Sequence, residues 1–89
     1  MSQRHVKIRS KVGLHARPAA LFVQTAAKAP MDVTVAKEGK EPVNAKSILA
    51  VIGLDARHGE EIIITAEGEA ADQVLDQLEA AVNVEPEGA

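Results

Sequence analysis

The spacing of the apolar residues changes several times along the chain, and this alternation constrains the fold more than any other feature of the sequence. Over residues 4–9 apolar and polar residues alternate, which predicts a strand that buries Val6 and Ile8. From Pro18 the spacing changes to three and four residues, which predicts an amphipathic helix that ends near Lys28. Proline suits the first turn of a helix, where its missing N–H has no partner to lose. The apolar face of this helix consists of Ala19, Phe22, Val23 and Ala26.

Strand spacing returns twice more along the chain. Residues 31–35 alternate up to a turn at residues 37–40, and residues 41–43 supply a short returning strand, which together predict a hairpin. Residues 60–66 alternate again and predict the last strand. In that strand Ile62 and Ile64 face the core, and Ile63 faces the other way.

Helical spacing also returns twice. Residues 47–54 predict a short helix that either Ser47 or Asn44 caps at its start and that Gly53 ends. The last helix has an amphipathic stripe, so one of its faces must be buried. That stripe consists of Ala71, Val74, Leu75, Leu78 and Val82.

The resulting order is β-α-β-β-α-β-α, which predicts an α+β fold in two layers. Half-polar strands that alternate with helices fit one sheet whose apolar face is covered by helices while its other face meets water. We therefore expect an open-faced sandwich, with a four-stranded antiparallel sheet covered on one face by three helices. Residues 1–84 would form one domain, and residues 85–89 a polar C-terminal tail with nothing to bury.

Composition excludes several classes of protein. The chain has no cysteine, so disulfides, thiolate metal sites and a catalytic thiol are excluded. The net charge of −3 and the single aromatic residue, Phe22, offer neither a basic stripe nor a stacking platform for nucleic acid. No apolar run approaches the roughly 20 residues of a membrane span, and the N-terminal segment lacks the apolar stretch of a secretion signal. We expect a cytoplasmic protein without membrane insertion.

The segment Gly13-Leu14-His15-Ala16-Arg17-Pro18-Ala19 places an imidazole directly before a predicted helix start. The unpaired backbone amides of a first turn, here those of Ala16 and Arg17, attract an anion and would cradle a phosphate on His15. Arg17 would stabilise the same anion with its planar guanidinium. Histidine suits a nucleophile because its ordinary pKa, about 6.5, leaves much of the ring neutral. The alternative is a histidine in an ordinary loop near a helix start.

Ser47 begins the second predicted helix, in the segment Asn44-Ala45-Lys46-Ser47-Ile48-Leu49. A phosphate on its hydroxyl would add a charge of about −1.5 to −2 at a helix start, where the fold tolerates it and the binding surface changes. Serine is also a favoured N-cap residue and needs no regulatory role there. Both interpretations stay open on the sequence alone.

The two segments around His15 and Ser47 resemble the active-site motif and the regulatory-serine region of the HPr family. The resemblance extends from about Gln3 to Val84 and includes the order of the elements. It implies that His15 is phosphorylated on Nδ1 by the phosphoenolpyruvate-dependent Enzyme I, and passes the group to the IIA domains of sugar permeases. Arg17 would assist each transfer.

The resemblance further implies a stoichiometric carrier of the sugar phosphotransferase system rather than a turnover enzyme, with no cofactor and acting as a monomer. It makes Ser47 a candidate site for an ATP-dependent serine kinase, with a catabolite repressor as a further partner. Residues 49–54 depart from many relatives, which have methionine and further glycine there. Leucine, valine and isoleucine in place of methionine would make a stiffer binding patch with an altered preference for partners. The alternative, which we expect for most of these six residues, is that they pack in the core.

Three hypotheses compete: a phosphocarrier that uses His15, a regulatory module that binds partners through the Ser47 helix, and an RNA-binding module. The RNA-binding module is the weakest of the three, because the chain has neither a basic stripe nor an aromatic stacking platform. His5 and His58 are expected to be solvated rather than functional. Asp55 with His58 is too sparse a set for a metal site, and no metal site is expected.

Overall fold

A computed structural model describes residues 2–9 and 16–83, and of Ala16 and Arg17 it describes the backbone. The predicted order of elements, β-α-β-β-α-β-α, is confirmed. The strands are β1 (Ser2–Lys7), β2 (Val33–Lys37), β3 (Val43–Asn44) and β4 (Glu61–Ala66). The helices are α1 (Ala16–Ala27), α2 (Ile48–Gly53) and α3 (Ala71–Val82).

The four strands form one antiparallel sheet in the order β1-β4-β2-β3. β4 lies in the interior of the sheet, where Ile64 pairs with Arg4 of β1 on one side and with Val35 of β2 on the other. Beyond the end of β1 the pairing continues, because Ile8 donates its N–H to the carbonyl of Glu60 at 2.8 Å. β1 and β3 are therefore the two edges.

One face of the sheet is apolar and is covered by helices, as the alternating pattern predicts. Ile62 and Ile64 of β4 are fully buried, and Phe22 of α1, the single aromatic residue, is buried in the same core. All five residues of the predicted stripe of α3 are buried, and α1 and α3 pack against each other. The two-layer α+β fold predicted from the sequence is confirmed.

The returning strand of the hairpin begins two residues later than predicted and ends one residue later. We expected that strand at residues 41–43, whereas β3 is Val43–Asn44. The physical reason is Pro42, which has no N–H to donate to a ladder, so pairing with β2 begins only at Val43. The turn that precedes it contains Gly39 at φ +82°, a backbone region that favours glycine.

The end of α2 also differs in detail from the prediction. Gly53 is the last helical residue, as expected, but the left-handed residue that follows the helix is Asp55, at φ +52°. Two contacts hold this unusual conformation. Arg57 donates from Nε and Nη2 to the Asp55 carboxylate at 3.2 and 2.9 Å, and Lys37 Nζ donates to the Asp55 carbonyl at 3.2 Å.

Polar contacts join β1 to α3. Arg4 Nη1 donates to Asp76 Oδ1 and to Glu79 Oε1, each at 2.8 Å. Asn83, directly after α3, accepts from the backbone N–H at position 9 at 3.0 Å and donates to the Lys7 carbonyl at 3.2 Å. The two hydrogen bonds of Asn83 satisfy backbone groups at the end of an edge strand, which would otherwise be open to pairing with another chain.

The predicted tail, residues 85–89, and the boundary at residue 84 lie outside the described residues, so that division of the chain stays a prediction. Among the helices of the described part, none is long and apolar enough to cross a membrane.

Candidate functional site

The candidate phosphoryl site lies where α1 begins. His15 and the side chain of Arg17 fall outside what the structure describes, but α1 starts at Ala16, the residue directly after His15. The first N–H groups of a helix have no partner within it, and Pro18 removes one of them. The amides of Ala16 and Arg17 therefore belong to the unpaired first turn, at the positive end of the helix dipole.

The packing of α1 fixes the position of this first turn. Pro18 and Ala19 are fully buried directly behind it, and Phe22 and Ala26 continue the buried face along the helix. A proline in the first turn restrains the backbone at no cost in hydrogen bonds. The amides after His15 are thus held on a rigid element.

Ser47 is the N-cap of α2, which decides between the two cap residues considered from the sequence. Its Oγ accepts a hydrogen bond from the backbone N–H of Ala50 at 3.3 Å, and its backbone is extended, as a cap requires. Asn44 has another role, because its Oδ1 accepts from the N–H of Lys46 at 2.9 Å and shapes the preceding turn.

Lys46, beside Ser47, makes a contact that the sequence did not reveal. Its Nζ donates to the carbonyl of Ala29 at 3.1 Å, in the segment that follows α1. The turn that carries the Ser47 cap is therefore joined to the end of the helix whose start follows His15. No local pattern relates two residues 17 positions apart, so only the folded chain shows this contact.

An apolar patch is exposed on α1 and α2, which contact each other. Leu49 is 81% exposed, and the other members are between 37% and 43% exposed. We name this set, Leu21, Ile48, Leu49 and Ile52, the α1–α2 patch. Sequence reasoning missed Leu21, although its position off the apolar stripe of α1 was an available signal.

The α1–α2 patch corrects the expectation that most of residues 49–54 pack in the core. Only Val51 and Leu54 of these six are buried. The reason is geometric: α2 has six residues, so a single narrow face reaches the core, and Leu49 and Ile52 point away from it. Of the three apolar residues at helical spacing in α2, Ile48, Val51 and Ile52, only Val51 is buried.

The two other histidines are exposed, as expected. His58 lies in the turn before β4, and His5 lies on β1, where its Nδ1 is 3.2 Å from Glu61 Oε1.

Asp55 faces Arg57, and the guanidinium holds the pKa of this carboxyl below its usual value. Across residues 2–9 and 16–83 no group of three His, Cys, Asp or Glu side chains is placed to bind a metal ion.

Comparison with known families tests the resemblance. The family model described as the PTS HPr component phosphorylation site matches residues 2–83. The chain belongs to the HPr family. It is 46% identical over 78 residues to the phosphocarrier protein HPr of Streptomyces coelicolor, covering 88% of this chain and 84% of the relative. It is also 46% identical over 85 residues to the HPr-like protein Crh of Bacillus subtilis, covering 96% and 99%.

Solved HPr structures agree with the fold. The chain matches a phosphocarrier protein HPr from Bacillus anthracis with a TM-score of 0.82 at 45% identity, covering 92% of this chain and 96% of that one. A crystal structure of Bacillus subtilis Crh, described as a swapped dimer, matches with a TM-score of 0.68 at 46% identity, covering 92% and 93%. HPr proteins are phosphocarriers of the phosphotransferase system, and this chain is a member of that family.

Proposed function

We propose that this HPr-family chain accepts a phosphoryl group on His15 from phosphorylated Enzyme I and transfers it to the IIA domains of sugar permeases. One observation carries the proposal: α1 begins at Ala16, so the unpaired amides of its first turn directly follow His15. An anion at a helix start is stabilised by about 0.3–1 kcal/mol when exposed, and by up to about 2 kcal/mol when partly buried. The helix start therefore stabilises the phosphorylated form of His15 relative to the unphosphorylated form.

Each transfer is an exchange of bonds at phosphorus. The lone pair of His15 Nδ1 forms the bond to phosphorus while the bond from phosphorus to the donor breaks, and the donor keeps that electron pair. Arg17, two residues along, would offer its guanidinium to the phosphoryl oxygens in both directions. Because the amides of Ala16 and Arg17 are part of a packed helix, they need no rearrangement as charge moves.

The protein would act as substrate and donor in turn rather than as a turnover catalyst. A phosphorus–nitrogen bond on imidazole is reactive enough to be handed on, whereas a serine phosphate ester is not. No cofactor is part of this chemistry. The reaction belongs in the cytoplasm, where phosphoenolpyruvate and Enzyme I are expected.

The α1–α2 patch is suited to the docking of a transient partner. It combines four exposed apolar side chains on two contacting helices, and α2 has no charged residue. Such a small patch suits a weak encounter, because stable interfaces bury about 800 Å² on each partner. We propose that Enzyme I and the IIA domains dock on it in turn, and that the carrier is a monomer between encounters.

A two-step transfer tests the proposal. The protein is labelled with ³²P phosphoenolpyruvate, Mg²⁺ and Enzyme I, separated from Enzyme I, and mixed with a purified IIA domain. We expect label to appear on the IIA domain and disappear from the carrier in equal amounts. Arg17→Ala should slow both steps while the free energy of unfolding stays unchanged. Label that enters the protein and never leaves it would overturn the carrier function.

A regulatory function is the second candidate, because the chain is as similar to Crh as to HPr and a Crh structure is described as Catabolite Repression HPr. In this function an ATP-dependent serine kinase phosphorylates Ser47, and the modified α2 binds a catabolite repressor. Incubation with ATP and an extract of the source cells should then label the native chain and not Ser47→Ala. Equal labelling of both chains, or of neither, would exclude this function.

A further inference from the structure

His5 and Glu61 form a side-chain pair on the face of the sheet that no helix covers. His5 Nδ1 lies 3.2 Å from Glu61 Oε1. In the register of β1 and β4, His5 is opposite Ile63 and Glu61 is opposite Lys7, so the pair spans a diagonal between two antiparallel strands. Side chains on paired strands are held more firmly than side chains on a loop.

The carboxylate determines which ring nitrogen of His5 is reactive. With Glu61 accepting a hydrogen bond from Nδ1–H, the neutral ring has its lone pair on Nε2. A carboxylate that orients an imidazole in this way is a common means of preparing a nucleophile. The His5 side chain is 56% exposed, and a phosphoryl donor therefore has access to Nε2.

The neighbours of His5 suit an anion rather than a metal ion. Gln3 and Lys7 lie two residues before and two residues after His5 on β1, and all three are exposed on the same face of the sheet. An amide and an ammonium therefore flank the imidazole ring. In the described residues the pair has no third metal-ligating side chain.

We propose that His5 is a second phosphoryl-accepting residue, phosphorylated on Nε2 by donors that carry a phosphorus–nitrogen bond. Glu61 orients the ring and Lys7 offsets the added negative charge. The Nε2 lone pair forms the bond to phosphorus, and the phosphorus–nitrogen bond of the donor breaks. The leaving nitrogen takes that electron pair and a proton from water, while Nδ1 keeps its proton. This site is separate from His15 and does not rest on the carrier function.

The test uses the full chain with His15→Ala, labelled with ¹⁵N histidine and incubated with phosphoramidate as the donor. His58 is the internal control, because it is also exposed and no hydrogen bond to its ring is found in the described part of the chain. Proton–nitrogen correlation spectra identify which histidine and which ring nitrogen is phosphorylated. We expect His5 to react on Nε2 about tenfold faster than His58, the lower range of what an orienting carboxylate contributes.

Glu61→Leu should reduce the rate at His5 to that of His58, because leucine is similar in size but has no acceptor for the Nδ1–H of His5. Glu60→Leu is the matched control, since Glu60 faces Lys37 rather than His5, and it should leave the rate unchanged. Equal rates at His5 and His58, phosphorylation of His5 on Nδ1, or equal effects of the two variants would overturn the proposal.

Discussion

Lys46 Nζ donates a hydrogen bond to the carbonyl oxygen of Ala29 at 3.1 Å and so joins the turn before α2 to the segment after α1. The acceptor is a backbone carbonyl that follows a helix, where a cation is favoured by the helix dipole. The Ser47 cap and the helix that follows His15 are thereby part of one connected unit.

Removing this bond should destabilise the fold. We expect Lys46→Met to lower the free energy of unfolding by about 0.5–1.5 kcal/mol, because methionine retains the apolar stem and loses only the donor. Lys40→Met, in the exposed turn of the hairpin, is the matched control and should have no measurable effect. Urea denaturation followed by circular dichroism measures both, and equal effects of the two variants would contradict the role given to Lys46.

Ser47 should contribute to stability as an N-cap whether or not it is modified. Because its Oγ accepts from the N–H of Ala50, Ser47→Ala should lower the free energy of unfolding by about 1 kcal/mol. Ser47→Asp supplies another cap acceptor and should keep most of the stability. Thermal unfolding of the three proteins measures this, and an aspartate variant as unstable as the alanine variant would argue against capping.

The α1–α2 patch should matter for phosphoryl transfer and not for folding. Leu49 is exposed and Val51, two residues along, is buried. Leu49→Ala should change the free energy of unfolding by less than about 0.5 kcal/mol and raise the KM for transfer from Enzyme I. Val51→Ala should cost about 1–3 kcal/mol through the cavity it leaves. A Leu49 variant with native transfer kinetics would remove the patch from the docking surface.

Asp55 should contribute a pH-dependent part of the stability at the acid end. Its hydrogen bond and charge interaction with Arg57 lower the pKa of the carboxyl below its ordinary value of 3.8. A group with a lowered folded-state pKa stabilises the protein above its unfolded-state pKa, and this stabilisation is lost as the pH falls through the folded-state pKa. The loss should therefore occur below about pH 3.8.

Carbon-detected NMR of the Asp55 carboxyl measures this titration directly. Arg57→Ala should move the midpoint back up towards the ordinary value, and added salt should have the same effect because the pair is exposed. A midpoint that does not change in the Arg57 variant would show that the guanidinium is not the cause.

The elements with a full apolar repeat were predictable from the sequence. The stripe of α3 and the alternation of Ile62, Ile63 and Ile64 gave the correct buried faces, since a long element with one apolar face has only one way to bury it. The family was predictable too, from two short segments at the spacing that HPr proteins share.

The parts that failed are those that local pattern does not determine. Five apolar residues in a row at residues 48–52 look buried, but a helix as short as α2 has one face on the core and the others in solvent. The left-handed backbone of Asp55 after α2 was not predictable either, because it is held by Arg57 and by Lys37, which is distant in sequence.

Uptake of a phosphoryl group by His15 can be measured on the purified protein. The purified chain and its His15→Ala variant are incubated with phosphoenolpyruvate, Mg²⁺ and Enzyme I, and the product is examined by phosphorus NMR before and after mild acid. We predict a single acid-labile phosphohistidine, substituted on Nδ1, in the native chain and none in the variant. Enzyme I-dependent phosphorylation that persists in His15→Ala, or none in the native chain, would contradict the account.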